Sequence, residues 1–246
     1  MDLFYTPPHT IDLQRGELFV DGEEFFHIAK VLRKKEGETV YLTDGNGLSV
    51  EAVITKIGKG KLSAGIKSAG KVPQAATSVT VALSLLKSQQ RFDFFLEKAT
   101  ELGISRVVPM ITARTVAQVK AGKIESKLAR WRSVLRSASL QAKRYYFPVI
   151  GTPLGFDDVL CLDGYDVKLI PYELSKNATH ASFAGKKVLF VIGGEGGFTN
   201  DEVAMARAQG CSDISFGNSI LRAETAGVFA VAMVRSQIIM HGGRVM

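Results

Sequence analysis

The sequence predicts an α/β protein in two parts: a small β-barrel over residues 1–72, and a mostly parallel sheet covered by helices on both faces over residues 73–246. Three observations predict it. The first part carries short strand-like runs around hairpin signals. Strand-like and helix-like segments alternate in the second. Between them Lys71-Val72-Pro73-Gln74-Ala75-Ala76-Thr77 is polar, holds a proline and has no periodicity.

In the first part, residues 17–20, 39–43, 48–57 and 61–68 read as strands. Asp44-Gly45-Asn46-Gly47 joins two of them as a hairpin, because Gly and Asn accept the positive φ that tight turns demand. Residues 27–35 (HIAKVLRKK) interrupt as a short helix, whose i, i+3, i+4 spacing would set Lys30, Arg33 and Lys34 on one face.

In the second part, residues 79–86 are an apolar strand. Residues 91–102 follow as an amphipathic helix, with Phe92, Phe95, Leu96 and Ala99 on one stripe and Gly103 as its stop. A strand over 106–111 precedes a basic helix over 124–141, and 167–171 and 188–192 are two further buried strands. The latter runs into Gly193-Gly194-Glu195-Gly196-Gly197-Phe198. Thr199-Asn200-Asp201-Glu202 then has capping-box spacing, opening a helix to about residue 208. A last strand over 214–216 and a loop over 217–221 lead to a long apolar helix over 223–240. Phe229, Val231, Met233, Val234, Ile238 and Ile239 make that helix more apolar than one stripe requires, which predicts burial on several sides and a homodimer through this part.

A chain that is 46% hydrophobic and 22% charged is globular rather than disordered. The opening MDLFYTPPHTIDLQRG lacks a basic segment leading into an apolar stretch, and no run approaches the roughly 20 apolar residues of a membrane span, so a cytoplasmic protein is expected. Cys161 and Cys211 have no companions at metal-ligand spacing, and His9, His27, His180 and His241 have neither metal spacing nor a triad partner, so no metal site is expected.

The formal charge of +7 is uneven. Residues 1–72 hold ten basic and ten acidic side chains, so the whole excess lies beyond them. Residues 106–144 concentrate ten basic side chains (Arg106, Arg114, Lys120, Lys123, Lys127, Arg130, Arg132, Arg136, Lys143 and Arg144) against Glu125 alone. Such a surplus suits RNA phosphates, although a solvated basic helix face would look the same. Arg132, Arg136 and Lys143, at i, i+4 and i+11, would share a face of the basic helix.

Two motifs carry candidate chemistry. Glycines at a strand exit let a ligand approach the backbone, yet residues 193–197 fit neither the dinucleotide nor the P-loop spacing. Glu195 within that loop would repel phosphate and suits a ligand bearing positive charge. Arg222 and Glu224 flank the start of the last helix, either as a simple ion pair or as a functional pair, provided that the two loops meet beyond the carboxyl ends of the strands.

Taken together, His27-Ile28-Ala29-Lys30-Val31-Leu32-Arg33 followed by Asp44-Gly45, residues 91–103 (RFDFFLEKATELG), 141–148, 192–202 and 215–226 resemble the RsmE family of bacterial small-subunit ribosomal RNA methyltransferases, of the SPOUT class. The resemblance covers nearly the whole chain. It implies a PUA-like RNA-binding barrel, a methyltransferase domain with a deep trefoil knot, and a homodimer. The implied activity is S-adenosylmethionine-dependent methylation of uridine N3 in the decoding region of 16S ribosomal RNA, with the RNA of an assembled small subunit as the implied partner. It further implies cofactor contacts from Tyr172, Glu173, Ile192, Gly193, Gly194, Gly196, Gly197, Phe216, Gly217, Asn218, Ile220, Leu221 and Thr225. RNA contacts fall to Lys30, Arg33, Arg114, Arg132, Arg136, Lys143 and Arg144, and catalytic roles to Glu195 or Glu224 as base or orienter with Arg222 stabilising the uridine oxyanion. The sequence departs from the family pattern at Leu140-Gln141-Ala142, Gly194 and Asn218-Ser219.

Two other classes stay in view: an RNA-binding paralogue without transfer activity, which cofactor binding would distinguish, and a nucleotide-dependent oxidoreductase, against which the missing dinucleotide fingerprint argues. If the basic helix contacts RNA, neutralising Arg132, Arg136 and Lys143 together weakens RNA binding and flattens its salt dependence by about 0.7–0.9 in log–log slope per lost phosphate contact. An unchanged slope in filter-binding titrations refutes that contact.

Overall fold

The computed structural model describes residues 2–116, 121–178 and 181–240. The chain divides into two compact units, Met1–Gln74 with Ser139–Phe147, and Ala75–Ala138 with Pro148–Met246. A segment far downstream therefore completes the first unit, which no single linear boundary describes.

The first unit contains β1 (Leu3–Tyr5), β2 (Ile11–Asp12), β3 (Glu17–Asp21), α1 (Gly22–Phe26), β4 (Thr39–Thr43), β5 (Leu48–Ile57) and β6 (Lys61–Lys71). The strands run in the order β1-β4-β5-β6-β3-β2, with β1 parallel to β4 and the remaining pairs antiparallel. The sheet curls: Phe4 of β1 shares a core with Leu18 and Val20 of β3, and the Thr6 hydroxyl donates to Phe19 O at 3.2 Å. Register shifts between Glu51 and Ala52 and between Ile54 and Lys56 supply the bend.

The glycines between β4 and β5 serve twice. Gly45 and Gly47 hold φ of 73° and 95°, and Asp44 Oδ1 accepts from the N–H groups of Asn46 and Leu48. Their bare surface also admits the returning segment. Gly47 N donates to Tyr145 O and Phe147 N to Gly45 O, each at 2.8 Å, and a Cβ at Gly45 would stand 2.5 Å from the Phe147 ring.

The expected helix over 27–35 begins earlier and winds differently. α1 continues directly into a π-helical turn, His27–Val31, and Arg33 takes φ +56°. The i, i+3, i+4 face expected for Lys30, Arg33 and Lys34 therefore does not form, because that spacing presumes α-helical winding.

The second unit contains β7 (Ser78–Ser84), α2 (Gln89–Leu102), β8 (Arg106–Ile111), β9 (Val149–Ile150), β10 (Leu154–Gly155), α4 (Phe156–Leu160), β11 (Val167–Pro171), β12 (Lys187–Ile192), α5 (Asn200–Ala208), β13 (Ser212–Ile214) and α6 (Ala223–Met240). Most of α3 (Ile124–Gln141) also belongs here. All pairings are parallel, in the order β10-β8-β7-β12-β11-β13, with β9 also on β8. Alternation along β7 divides the core: Val79, Val81 and Leu83 face α2, α3 and α6, whereas Ala82 faces the α4 and α5 side. Strands β9 and β10 and helix α4 are too short to have left a periodic signal. The last strand ends at Ile214 rather than Phe216, since Ser215 Oγ accepts from Gly217 N at 3.1 Å and turns the chain out of the sheet.

α6 has 18 residues and a mean hydropathy of 1.2, but Glu224, Thr225, Arg235, Ser236 and Gln237 interrupt its apolar surface. On its buried face, Ala223, Ala230, Val231 and Val234 belong to the core shared with α2 and α3. α6 lies unusually close to α2: a Cβ on Gly227 would stand 2.6 Å from Phe95 Cε2, and Phe95 is fully buried. Gly227→Ala should therefore cost about 1–3 kcal/mol through overpacking, and Phe95→Leu in the same chain should recover part of it. Urea denaturation midpoints of the single and double variants test this, and a Gly227→Ala chain as stable as the parent contradicts it.

Candidate active site

Because the strands are parallel, the loops leaving β7, β11, β12 and β13 gather at one edge of the sheet. The strand order reverses between β7 and β12, and such a switch point opens a crevice. A cavity of about 460 Å³, within the usual range for small-molecule sites, lies among the loops that leave β11, β12 and β13. Its walls are Pro171–Lys176, Ile192–Glu195 with Gly197 and Phe198, and Ser215–Leu221 with Ala223 and Ala226.

The glycine loop is shaped by what surrounds it. A Cβ on Gly193 would lie 3.2 Å from the Gly197 carbonyl carbon, one on Gly194 would lie 3.0 Å from Ser84 Oγ, and Gly197 has φ +64°. Under Gly194, the Ser84 and Thr115 hydroxyls are 2.8 Å apart and those of Thr112 and Thr115 2.9 Å. Thr199 caps α5 with the anticipated box, and Glu202, whose Oε2 closes it, uses Oε1 to accept from Ala113 N at 2.8 Å. The loop is thus tied to β7 and to the segment after β8.

Of the residues expected at a cofactor, Tyr172, Glu173, Ile192, Gly193, Gly194, Gly197, Phe216, Gly217, Asn218, Ile220 and Leu221 line the cavity. Gly196 and Thr225 do not. Gly196 turns its carbonyl to Arg114, whose Nη1 donates to Gly196 O at 2.8 Å and Phe198 O at 3.2 Å. Arg114, expected on RNA, thus braces the glycine loop.

The charges arrange themselves around a residue that sequence reasoning passed over as part of a helix. Arg91, in the first turn of α2, gives Nε to Glu224 Oε1 at 2.8 Å and Nη2 to Glu224 Oε2 at 2.6 Å, while Nη1 reaches Glu195 Oε1 at 3.2 Å. Lys87 N donates to that same Glu195 oxygen at 3.2 Å. The ion pair considered for Arg222 and Glu224 is not the one formed: Arg222 is exposed and makes no salt bridge among the described residues, and Glu224 bonds Arg91. Burial pushes the Glu224 carboxyl up, but hydrogen bonds from Arg91 and from its own backbone, with the charges of Arg91 and Arg222, bring it below its usual range. A signal was legible. A cation in a helix's first turn opposes the helix dipole, and α2 has no acid there to offset Arg91, so its partners had to come from elsewhere.

The β11 loop is anchored on β13. Tyr172 N donates to Ile214 O, Ser215 N to Asn177 O, and Asn177 Nδ2 to Asp213 Oδ2 at 3.2 Å. Arg207 Nε holds Asp213 Oδ1 at 2.9 Å, and the Tyr172 hydroxyl donates to Asn200 at 2.8 Å.

The basic residues divide differently from expectation. Lys143 lies two positions beyond the end of α3 with φ +56°, so helical spacing does not carry it onto the face of Arg132 and Arg136. Lys30, Arg33, Arg132 and Lys143 are exposed, Arg136 and Arg144 half-buried. Lys120, His180 and His241 lie outside the described residues. Among the described residues no group of three or more His, Cys, Asp or Glu could hold a metal ion.

Known families match most of the chain. Residues 73–235 match the family described as an RNA methyltransferase domain, and residues 20–67 match an RNA methyltransferase PUA domain. The Mycobacterium tuberculosis protein named ribosomal RNA small subunit methyltransferase E is 33% identical over 222 residues, covering 87% of this chain and 84% of that one. Its Bacillus subtilis namesake is 28% identical and covers 89% of each chain. Among solved structures, the Neisseria gonorrhoeae ribosomal RNA small subunit methyltransferase E bound to S-adenosyl methionine superposes with a TM-score of 0.85 at 28% identity, covering 96% of this chain and 97% of that one. The chain belongs to the ribosomal RNA small subunit methyltransferase E family.

The anchoring of the β11 loop has a pH signature. The Arg207 hydrogen bond, then one from Ser175, hold the Asp213 carboxyl at about 2. Its folded value is below its unfolded one, so the stabilisation is complete above about pH 4 and lost as pH falls towards 2. With Arg207 53% exposed, solvent screening leaves roughly 1 kcal/mol. Denaturation midpoints of wild type and Asp213→Asn should differ by a constant amount above about pH 5 and draw together as pH falls towards 2. A gap as large near pH 2 as at about pH 6 excludes the carboxylate as its source.

Proposed function

We propose that this chain transfers a methyl group from S-adenosylmethionine to N3 of a uridine in the decoding region of small-subunit ribosomal RNA, acting on the assembled subunit in the cytoplasm. The observation that carries the reading is the glycine-walled crevice among the loops that leave β11, β12 and β13, in a chain whose relatives bear that enzyme's name.

The crevice fits the cofactor chemically. Glu173 and Glu195 suit its sulfonium and ammonium charges, Lys176 suits its carboxylate, and the glycines expose backbone N–H and C=O groups to its adenosine. When bound, S-adenosylmethionine supplies an electrophilic methyl group carried on positively charged sulfur. The protein must then remove the weakly acidic N3 proton and bear the charge that develops on the uracil oxygens. Glu195 is the proton acceptor in this reading: it lines the crevice, and among the described residues its Oε2 has no hydrogen-bond donor. Glu224, occupied at both oxygens by Arg91 and held below its usual range, supports rather than accepts. Arg222, exposed beside the crevice loop, stabilises the oxyanion.

The reading includes a homodimer through the methyltransferase domain, supported by the exposed Phe229, Ile239 and Met240 on α6. It also includes the family's deep trefoil knot, with which the parallel order β7-β12-β11-β13 agrees. RNA is held by Lys30, Arg33, Arg132, Arg136, Lys143 and Arg144, supported by the match to a PUA domain of RNA methyltransferases.

Mapping of N3-methyluridine in ribosomal RNA from cells with and without the gene tests the reaction, and modification that persists without the gene refutes it. Arg222→Ala should bind S-adenosylmethionine within a few-fold of wild type while single-turnover methylation of small subunits falls roughly a hundredfold, the scale of a lost electrostatic donor. Parallel losses of calorimetric affinity and rate would remove Arg222 from catalysis.

A further inference from the structure

We infer that Arg91 is a positioning residue for methyl transfer, holding Glu195 in the crevice wall by one oxygen so that the other meets the acceptor base. The inference rests on the reaction proposed above.

Glu195 stands in a loop of six residues, four of them glycine, whose backbone does little by itself to hold a side chain. Two donors from outside the loop converge on its Oε1: Lys87 N and Arg91 Nη1, each at 3.2 Å. Oε2 has no donor among the described residues. A carboxylate tethered on one side keeps one orientation, and its other oxygen stays available for a proton.

Arg91 can hold Glu195 because Arg91 is itself held. Its Nε and Nη2 form a forked pair with Glu224, whose side chain is 8% exposed in the first turn of α6, where the helix dipole favours a carboxylate. The order of support runs from buried Glu224 to Arg91, 29% exposed, to Glu195, 32% exposed at the crevice. Only a planar guanidinium reaches three oxygens on two carboxylates; the point charge of lysine cannot reproduce the fork. Two carboxylates and one guanidinium also leave the cluster with a net negative charge, which suits a positively charged methyl donor beside neutral uracil.

In the step served, the N3 proton passes to Glu195 Oε2. The electron pair left on N3 forms the bond to the methyl carbon, and the pair of the breaking C–S bond leaves on sulfur. Proton transfer of this kind depends on angle and distance, and a misplacement of about 1 Å can cost on the order of a hundredfold in rate.

The test compares wild type, Arg91→Met and Arg91→Lys in calorimetric binding of S-adenosylmethionine, melting temperature, and steady-state methylation of small ribosomal subunits. Arg91→Met is expected to lose about a hundredfold in kcat, with cofactor affinity and KM for subunits kept within a few-fold. Arg91→Lys should restore the melting temperature but recover at most a tenth of the rate. Affinity, rate and melting temperature that fall together in Arg91→Met and return together in Arg91→Lys overturn the inference, as does full kcat in either variant. If Arg91→Met does not fold, Arg91→Lys decides alone, and full kcat there overturns it. A wild-type chain that binds cofactor yet leaves N3 unmethylated overturns the reaction itself, and the inference with it; an active wild type beside an unaffected variant overturns the inference alone.

Discussion

The crevice wall depends on how closely α6 approaches α2. Gly227 against the Phe95 ring sets that distance, and any larger side chain would push the helices apart. At the same separation the guanidinium of Arg91, on α2, meets the carboxylate of Glu224, on α6, and its remaining nitrogen reaches Glu195. An apolar close contact thus fixes a polar geometry. The pair would be costly without its partner: a buried carboxylate or a guanidinium facing the dipole of its own helix is stable only when the opposite charge is present.

The glycine loop obeys a second constraint, the need for backbone surface at a place crowded from below and outside. Ser84 lies under Gly194, the Arg114 side chain against Gly196, and the Gly197 backbone against Gly193. Ser84 also bears on Gly194 itself: its hydroxyl stands 3.0 Å from where a Cβ would enter. Arg114 bonds two carbonyls of the loop from outside, so a cation that charge counting assigns to RNA contributes to the rigidity of the crevice.

In the first unit, Arg33 and Lys143 are the non-glycine residues at positive φ among those described. Each follows a helical segment and is spanned by a hydrogen bond typical of a left-handed helix end, Lys34 N to Ile28 O at 3.1 Å and Arg144 N to Ser139 O at 2.8 Å. Glycine would be less costly there by about 1 kcal/mol.

The sequence by itself determined the elements whose causes are local. The Asp44–Gly47 turn, the Gly103 stop and the capping box at Thr199 rest on residues a few positions apart, and strand–helix alternation beyond residue 77 already implies a parallel sheet with its ligands at one edge. The glycine loop was legible for that reason as one of two readings, a ligand site or a tight turn, whereas the loops after β11 and β13 entered only through the family resemblance. Only the tertiary structure decided what depends on residues distant along the chain. Residues 139–147 join the first unit because Gly45 and Gly47 leave room for Tyr146 and Phe147, and neither end of that contact carries a periodic signal. Glu224 takes Arg91, 133 positions away, rather than Arg222, two positions away. Two positions apart at a helix start, side chains diverge, whereas two packed helices bring their first turns together, and a salt bridge follows distance in space.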